Sequence, residues 1–316
     1  MAAGDTPEIL QISPMLPSVE QALVQAYTVH RLWEAADRAA VLAQIGPRIR
    51  AVATDGHWGV PADVAEACPG LEIAASYGVG YDAIDIPDCK LRGIRVTNTP
   101  DVLNDAVAEL TVGLMIALVR RIPQADVHVR AGAWPGAGYG LTGELTGAHA
   151  GILGLGRIGK EIAIRLQAMK MRVSYHGRSE QAHQPYVYYP DLEEMARAVD
   201  WLVVIAPGSA ATRGIVSRPV MEALGPQGAL VNVARGSLVD EPAMVDLLGQ
   251  GKLGGAALDV FEAEPTVPEA LWAMDNVVLS PHQGSATHKT RAAMGDLVVR
   301  NLAAHFAGDP LLTPVA

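Results

Sequence analysis

A glycine-rich turn between an apolar run and an amphipathic segment constrains the fold of this chain most strongly. Apolar residues 150–153 lead into Gly154, Gly156 and Gly159. Here the first glycine permits a tight turn, the second lets a diphosphate approach the main chain, and the third allows close helix–strand packing. The N–H groups that begin the helix, at Arg157 and Ile158, then face the phosphates. The sequence therefore predicts a strand–turn–helix unit that binds a dinucleotide.

The residues at the end of the next predicted strand indicate which dinucleotide is bound. NAD-binding domains usually carry Asp or Glu there, and its carboxylate accepts a hydrogen bond from the ribose 2′-hydroxyl. This chain has His176, Arg178 and Ser179 in that region, and no acidic residue before Glu180. Without a carboxylate to repel it, a 2′-phosphate can bind Arg178 and Ser179. We therefore expect NADP(H) to be preferred, with NAD(H) as a possible cofactor; the alternative is that Arg178 is a solvated surface residue.

Composition limits the class of protein. A chain of 316 residues, half of them apolar, suggests two domains with sizeable cores. The net charge of −10 argues against nucleic-acid and anionic-membrane partners. Cys68 and Cys89 have no metal-ligand spacing, so we expect no metal site and a reducing compartment. Residues 1–5 do not resemble the start of a signal peptide, and no apolar run has membrane-spanning length, so we expect a cytoplasmic protein.

Short apolar runs alternate with helical patterns along the whole chain, which is typical of βαβ units around parallel sheets. The predicted strands include residues 8–12, 51–54, 72–76, 94–97, 171–176, 201–205, 229–233, 255–260 and 277–280. The predicted helices include residues 19–26, 105–119 and 286–306, and a Gly-rich irregular arm covers residues 130–147. We expect an α/β fold of two doubly wound parallel-sheet domains, Rossmann-like and flavodoxin-like, with the nucleotide domain inserted in the substrate domain. The expected substrate-binding domain is 1–98 plus 286–316, and the expected dinucleotide-binding domain is 99–285.

Three polar residues follow three predicted strands of the second half: Arg235, Glu264 and His282. Since ligands bind outside the carboxyl ends of the strands in open α/β sheets, these side chains can converge on one crevice. Arginine can bind a carboxylate with two parallel hydrogen bonds, and histidine can transfer a proton near neutral pH. A carboxylate beside the histidine favours its charged form, and Glu262 is the alternative to Glu264 for that place. Beside a nicotinamide, the set predicts a site that holds a carboxylate or a carbonyl oxygen and transfers a proton.

Several motifs, in this order, resemble the D-isomer-specific 2-hydroxyacid dehydrogenase family. They are the segment Ser76–Asp85, similar to the family's substrate loop, the glycine turn 154–159, Val-Asn-Val-Ala-Arg-Gly at 231–236, Asp-Val-Phe-Glu-Ala-Glu-Pro at 259–265, and Ser-Pro-His at 280–282. Within the family, the chain most resembles the glyoxylate/hydroxypyruvate reductase branch, whose members often use NADPH. The resemblance implies an oxidoreductase that reduces a small 2-oxo acid to the D-2-hydroxy acid.

The resemblance also implies a role for each residue that acts on the substrate. Arg235 would orient the 2-oxo acid, His282 would be the acid/base, and Glu264 would support the histidine. The main-chain N–H groups of Val79 and Gly80 would receive the substrate carboxylate.

The same resemblance implies which residues contact the cofactor and which lie at the subunit interface. Asp259 would bind the nicotinamide carboxamide, and Pro207 and Thr212 would line the cofactor. In related reductases an aromatic residue of the irregular arm reaches the active site of a neighbouring subunit; Trp134 is the candidate here, with packing in the arm as the alternative. A homodimer is therefore expected. Gln283 departs from the β-branched apolar residue that is common after the histidine.

Two other functions stay open at this point. One is reduction of a larger 2-oxo acid, such as 2-ketogluconate or an arylpyruvate. The other is a nucleotide-sensing binding protein that resembles a corepressor, because the same fold and triad occur in such proteins. Formate dehydrogenase is disfavoured, because that branch pairs its histidine with Gln where this chain has Glu264.

Overall fold

The computed structural model describes residues 6–136 and 138–315, which form two compact units. The first unit comprises Met1–Leu103 and Thr287–Ala316, and the second comprises Asn104–Ala286. The signal-peptide expectation rests on residues 1–5, which lie outside the described residues, as does Ala137 in the predicted arm. That one unit binds the substrate and the other the dinucleotide stays a prediction.

The first unit is built on a five-stranded parallel sheet in the order β2-β1-β3-β4-β5. Its strands are β1 (Glu8–Gln11), β2 (Thr28–Arg31), β3 (Ile49–Thr54), β4 (Ile73–Ser76) and β5 (Arg95–Thr97). Its first four helices are α1 (Pro17–Ala26), α2 (Arg38–Ile45), α3 (Ala62–Ala67) and α4 (Ile86–Arg92). Every residue of β4 is buried, as in parallel sheets that helices cover on both faces.

The second unit is built on a seven-stranded parallel sheet in the order β12-β11-β10-β9-β6-β7-β8. Its helices are α5 (Asn104–Val119), α6 (Ile122–Arg130), α7 (Arg157–Ala168), α8 (Leu192–Ala198), α9 (Arg218–Leu224) and α10 (Glu241–Gly249). Its strands are β6 (His149–Leu153), β7 (Arg172–His176), β8 (Val187–Tyr188), β9 (Trp201–Val204), β10 (Ala229–Asn232), β11 (Gly255–Leu258) and β12 (Val277–Leu279). The strand order reverses between β6 and β9, and ligands bind at such a reversal in open α/β sheets.

The last helix, α11 (His288–Ala307), returns to the first unit. It begins two residues after the predicted start, because the hydroxyl of Thr287 accepts from the N–H of Thr290 (3.1 Å) and caps the helix. It ends at Ala307 and is followed by Gly308, whose positive φ of 77° is typical of a helix C-cap. The helix packs closely on α1, because a side chain at Gly295 would meet Val19.

The predicted α/β fold with two doubly wound parallel sheets is confirmed. The sequence patterns miss two edge strands, β2 and β8. Strand β2 has no fully buried residue and β8 has only two residues, so neither shows an apolar run. Helix α6 precedes the irregular arm, and none of its residues is buried. Within residues 6–136 and 138–315, no helix is long and apolar enough to cross a membrane.

Candidate active site

The glycine turn follows β6, the strand at the reversal of the second sheet. Gly154 has a positive φ of 102°, and a Cβ there would lie 2.7 Å from the main chain of Ala206. A Cβ at Gly159 would lie 2.2 Å from the carbonyl oxygen of Gly154. Real Cβ atoms do not approach so closely, so both positions require glycine. The two glycines let α7 begin directly against the strand, as the spacing predicts.

The main chain of this turn fits a dinucleotide diphosphate. Gly156 is the N-cap of α7, and because glycine has no side chain nothing caps the first N–H groups of the helix from this position; a Cβ there would meet no atom within 4 Å. The first turn of α7 carries no acidic residue, whereas Arg157 begins the helix and Lys160 lies one turn on. Open space in front of a helix N-terminus with basic neighbours is suited to a phosphate group.

The loop after β7 lies beside this turn. The N–H of Gly154 donates to the carbonyl of His176 (2.9 Å), and the side-chain amide of Gln181 donates to the carbonyl of Leu155 (2.8 Å). Arg178 and Ser179 in this loop are exposed. A basic side chain and a hydroxyl are therefore accessible at the strand end where NAD-binding domains usually carry an acid.

Pro207 and Thr212 lie in one turn after β9, the other strand at the reversal. The Thr212 hydroxyl donates to the Pro207 carbonyl (2.8 Å) and lies 3.0 Å from the Ser209 hydroxyl. These contacts hold the turn at the carboxyl end of the sheet, where the cofactor residues were predicted. Thr212 therefore already uses its hydroxyl to fix the turn.

Arg235 is positioned by a buried asparagine at the end of β10. The side chain of Asn232 donates to the carbonyl of Arg235 (2.9 Å) and accepts from the N–H of Ala234 (3.1 Å). The Arg235 side chain is half-buried and donates to the Ala234 carbonyl (2.8 Å). Gly236 then passes close to the next loop, since a Cβ there would lie 1.9 Å from the carbonyl carbon of Phe261. This approach brings the loops after β10 and β11 together.

Asp259, which follows β11, fixes the loop that carries His282. Its buried carboxylate accepts from the hydroxyl of Ser280 (2.7 Å), the N–H of Gln283 (2.7 Å) and the N–H of Gly284 (2.8 Å). The Asp259 carbonyl also accepts from the N–H of His282 (2.8 Å). His282 has a positive φ of 52°, a conformation that a histidine keeps only where its surroundings fix it.

The structure brings His282 and Glu264 together. Nδ1 of His282 lies 2.7 Å from Oε2 of Glu264, whose Oε1 accepts from the N–H of Phe261 (3.0 Å). The side chains of His282 and Glu264 are 44% and 20% exposed, so the imidazole is accessible while its partner is mostly covered. A hydrogen donated from Nδ1 to Glu264 leaves Nε2 as the ring atom that can give or take a proton.

Glu262 does not take the place beside the histidine. Its carboxylate lies 3.1 Å from the Arg213 guanidinium, and its N–H donates to the Glu241 carboxylate. Burial raises the pKa of Glu241; the hydrogen bond from the Glu262 N–H opposes this rise, and the negative charge of Glu262 adds to it. Glu264, rather than Glu262, is therefore the acid that faces the imidazole.

Val79 and Gly80 lie in the first unit, in the loop that follows β4. The Gly78 carbonyl accepts from the N–H of Thr99 (2.9 Å), and the Val79 carbonyl accepts from the side chain of Asn98 (2.9 Å). Within the part of the chain that the structure describes, no atom accepts from the N–H of Val79 or of Gly80. These two donors are half-exposed and can receive an anion.

Trp134 lies on the irregular arm of the second unit and is 65% exposed. With Ala125, His128, Val129 and Tyr139 it lines a cavity of about 190 Å³. A role of Trp134 in a neighbouring subunit and packing within the arm both stay predictions.

Two contributors to the site were missed by the sequence patterns. Asn232 and Ser280 hold the loops of Arg235 and His282, respectively. A polar residue inside the apolar run of β10 was the signal for Asn232. No group of three or more His, Cys, Asp or Glu side chains among residues 6–136 and 138–315 is arranged to hold a metal ion.

The chain is similar to known reductases over nearly its whole length. It is 47% identical over 307 residues to hydroxyphenylpyruvate reductase of Plectranthus scutellarioides, which covers 97% of this chain and 98% of that protein. It is 46% identical over 307 residues to glyoxylate/hydroxypyruvate reductase A of Arabidopsis thaliana, with the same coverage of 97% and 98%.

The fold is also similar to that of a solved reductase. The crystal structure of the NADPH-dependent glyoxylate/hydroxypyruvate reductase of Sinorhizobium meliloti, in complex with NADP and malonate, matches with a TM-score of 0.93 and 45% identity over 99% of this chain and 97% of that one. The model of the D-isomer specific 2-hydroxyacid dehydrogenase NAD binding domain matches residues 112–284. This chain therefore belongs to the D-isomer-specific 2-hydroxyacid dehydrogenase family of NAD(P)-dependent oxidoreductases.

Proposed function

We propose that this chain reduces a small 2-oxo acid, glyoxylate or hydroxypyruvate, to the D-2-hydroxy acid, with NADPH as the preferred cofactor and NADH as the second. The observation that carries the proposal is the pairing of His282 with Glu264 at 2.7 Å, at the same edge of the sheet as the glycine turn. The names of the Arabidopsis and Sinorhizobium reductases support glyoxylate and hydroxypyruvate as substrates.

The dinucleotide would be held by the turn after β6 and the two neighbouring loops. The N–H groups of the turn would bind the diphosphate, and Arg178 and Ser179 would bind the 2′-phosphate. The residues of the turn are Gly154, Gly156, Arg157, Ile158 and Gly159, and those that would line the nicotinamide half are Pro207, Thr212 and Asp259. A nicotinamide bound there supplies the hydride that reduces the keto carbon.

The substrate would be oriented by Arg235 and by the N–H groups of Val79 and Gly80. The planar guanidinium can bind the carboxylate and polarise the keto oxygen, while main-chain N–H groups receive the other side of the carboxylate. Nε2 of protonated His282 would give its proton to the keto oxygen as the alcohol forms. Glu264 would hold the imidazole through Nδ1 during this transfer and stabilise its charge.

Reduction of a larger 2-oxo acid is the second candidate. It is supported by the relative from Plectranthus scutellarioides, which is named a hydroxyphenylpyruvate reductase. An arylpyruvate and a small 2-oxo acid share the carboxylate and keto groups that Arg235 and His282 would contact. The two candidates therefore differ only in the side chain of the substrate.

We also propose that the enzyme acts as a homodimer in the cytoplasm. Helix α6 and the following arm expose Ile122, Val127, Val129, Trp134 and Leu141, an apolar surface that a second copy could cover. Trp134 would then reach the active site of the neighbouring subunit. Cys68 and Cys89 are both free, which agrees with a reducing compartment.

The test of the proposed function is the initial rate of NADPH and NADH oxidation with glyoxylate, hydroxypyruvate, phenylpyruvate and 2-ketogluconate. We expect the highest kcat/KM with NADPH and one of the two small acids. A preference for phenylpyruvate or 2-ketogluconate would favour the second candidate. A lack of turnover with every acid would contradict both and favour a nucleotide-sensing role.

The proton-transfer role is tested by His282→Ala. We expect kcat to fall by roughly 10²–10⁴-fold, the usual contribution of a general acid. The matched control is His288→Ala, which removes an exposed histidine at the start of α11 and should leave kcat unchanged. Rates near those of the unmodified enzyme for His282→Ala would contradict the assignment.

A further inference from the structure

The loop proposed to receive the substrate carboxylate is fixed through its carbonyl groups. The N–H of Thr99 donates to the carbonyl of Gly78, and Nδ2 of Asn98 donates to the carbonyl of Val79, both at 2.9 Å. Asn98 is 8% exposed and Thr99 is fully buried, so these donors are covered from solvent. Two consecutive peptide groups of the loop are therefore held by two consecutive residues of another segment.

This arrangement fixes the direction of the two free N–H groups. In a trans peptide, the C=O of one residue and the N–H of the next point in opposite directions within one plane. The one cis peptide among the described residues is Glu264–Pro265, so the loop is trans throughout. Because the Gly78 carbonyl points to Thr99, the N–H of Val79 points away from it. The N–H of Gly80 points away from Asn98 for the same reason.

Asn98 is in turn held by the C-terminal segment. The hydroxyl of Thr313 donates to the Asn98 carbonyl (2.7 Å), and the N–H of Asn98 donates to the Thr313 carbonyl (3.4 Å). An isolated antiparallel β-bridge between Thr97 and Pro314 continues this contact, and the N–H of Val315 donates to the Val96 carbonyl (2.8 Å).

The C-terminal segment is itself anchored by one buried side chain of α11. Asn301 is fully buried, and its Nδ2 donates to the Thr313 hydroxyl (2.8 Å) and to the Leu297 carbonyl (2.8 Å). Its Oδ1 accepts from the N–H groups of Leu312 and Thr313. A continuous chain of hydrogen bonds therefore runs from α11 through Thr313 and Asn98 to Val79.

We propose that Asn98 is a positioning residue that presents the N–H of Gly80 to the substrate carboxylate, beside the N–H of Val79 that Thr99 fixes, and that Thr313 of the C-terminal segment holds Asn98 in place. The proposal rests on the proposed function, because it assigns the ligand of the loop as the carboxylate of a 2-oxo acid. The direction of the Gly80 N–H depends on a side-chain donor at position 98, whereas that of the Val79 N–H depends on the main-chain N–H of Thr99. An aspartate there has the same shape but would place a second acceptor against the Val79 carbonyl.

The experiment compares Asn98→Asp and Asn98→Ala with the unmodified enzyme. The readouts are KM and kcat for the preferred 2-oxo acid, the Kd of oxalate for the enzyme with NADP+ bound, and the Kd of NADP+ itself. We expect KM and the oxalate Kd to rise by about tenfold or more in both variants, the effect of losing a hydrogen bond to a charged group. We expect kcat to change much less, and the Kd of NADP+ to stay unchanged.

A purely structural role for Asn98 would give a different result. A destabilised variant loses active molecules, so it would show a lower kcat with unchanged KM and unchanged oxalate affinity. That result, or unchanged values throughout, would overturn the proposal. If the unmodified enzyme reduced no 2-oxo acid, the proposed function would fail, while the oxalate Kd would still report on Asn98.

A second pair of variants tests the C-terminal segment, and also serves if the Asn98 variants do not fold. Thr313→Val removes the hydroxyl that contacts Asn98, and Thr313→Ser keeps it. We expect Thr313→Val to raise KM and the oxalate Kd several-fold, roughly the effect of one neutral hydrogen bond, and Thr313→Ser to match the unmodified enzyme. Equal values for the two variants would contradict the role of Thr313.

Discussion

Both units carry main-chain N–H groups that we propose to bind an anion, but they position these groups in different ways. In the second unit, the turn after β6 is shaped by its own glycines. Side chains at Gly154 and Gly159 would overlap neighbouring main-chain atoms, at 2.7 Å and 2.2 Å. The turn can therefore form only with glycine at these positions.

In the first unit, the loop after β4 is shaped by donors from elsewhere in the chain. Asn98 and Thr99 hold two of its carbonyls, and a Cβ at Gly78 would lie 3.7 Å from the nearest atom outside the loop, an ordinary contact. A turn shaped by its own glycines has a recognisable spacing in the sequence. A loop shaped by distant hydrogen bonds has none, so only the family resemblance pointed to it.

Within this comparison of the two loops, the largest expected effect is that of Gly159→Ala, which would break the turn of the second unit. The added Cβ cannot fit against the Gly154 carbonyl, so the turn must move and its N–H groups lose the diphosphate. Losing two hydrogen bonds to a charged group, at about 1.5 kcal/mol each, should weaken NADPH binding on the order of 100-fold. The thermal midpoint of unfolding should also fall, since overpacking costs about 1–3 kcal/mol.

Gly156→Ala is the matched control for that prediction. A Cβ at this position meets no atom within 4 Å, so the thermal midpoint should stay unchanged. The methyl group would nevertheless occupy the space in front of α7, so NADPH binding should weaken. Titration of both variants with NADPH, combined with thermal unfolding, checks the pair; equal losses of stability in the two variants would show that glycine packing does not shape this turn.

Arg178→Ala distinguishes the contribution of the glycine turn to cofactor binding from that of the side chain proposed to select NADPH. We expect the Kd of NADPH to rise about tenfold, because one hydrogen bond to a charged phosphate is lost. The Kd of NADH should stay unchanged, since NADH lacks the 2′-phosphate. Fluorescence titration with each cofactor measures both constants, and an equal rise in the two would place Arg178 outside the 2′-phosphate site.

The fold could be predicted from the sequence wherever a strand is buried and is therefore made of consecutive apolar residues. Strands β3 and β9 lie inside their sheets and form apolar runs that predict them. Strand β2 is an edge strand with no fully buried residue, and Val29 is the one apolar residue among its four, so no apolar pattern marks it. Apolar patterning reflects burial from solvent. Strands at the edge of a sheet are less buried, so their sequences show the pattern least.

The candidate site could be predicted only in part, for a related reason. The topology of a parallel sheet brings strand ends together, which predicted Arg235, Glu264 and His282 as neighbours. The choice between Glu262 and Glu264 depends on the path of the loop after β11, which no periodic pattern encodes. The contact between Asn98 and Val79 also joins residues that share no local pattern, so it required the structure.

The two units should also differ in their response to acid. In the second unit, His149 is 9% exposed and its ring nitrogens contact the Ala198 carbonyl (2.9 Å) and the Ser174 hydroxyl (2.7 Å). Burial lowers the pKa of His149 below its ordinary value of 6.5. The folded state therefore binds the proton of His149 less well than the unfolded state does. Because of this difference, the free energy of unfolding has its full value above pH 6.5 and decreases as the pH falls below it.

The lowered pKa values of the first unit belong to carboxyl groups. Hydrogen bonds from Arg48 and Arg50 lower the pKa of Glu8 and of Glu72, respectively, from the ordinary value of 4.5. The contribution of these two carboxylates to the stability of the folded state is present above pH 4.5 and is lost only below it. Between pH 6.5 and pH 4.5, acid should therefore lower the stability of the second unit before that of the first.

Hydrogen exchange resolved by mass spectrometry checks this difference between the units. After correction for the intrinsic pH dependence of exchange, protection of β6 and β7 should fall between about pH 7 and about pH 5, the range in which a histidine titrates, while protection of β3 and β4 should hold. His149→Asn keeps a donor for the Ala198 carbonyl but cannot titrate, so it should abolish the fall. A parallel fall in both units, or a fall that persists in the variant, would contradict the role of His149.

The smallest expected effect is that of Gly78→Ala, which completes the comparison of the two loops. If hydrogen bonds from Asn98 and Thr99 shape the loop of the first unit, its glycine is not required for packing. The φ of Gly78 is not in the left-handed region, and the added Cβ would make only ordinary contacts. We therefore expect a thermal midpoint equal to that of the unmodified enzyme, or slightly higher, because alanine reduces the freedom of the unfolded chain by about 0.4–1 kcal/mol. A loss of stability as large as that of Gly159→Ala would mean that both loops depend on their glycines, and the distinction between them would fail.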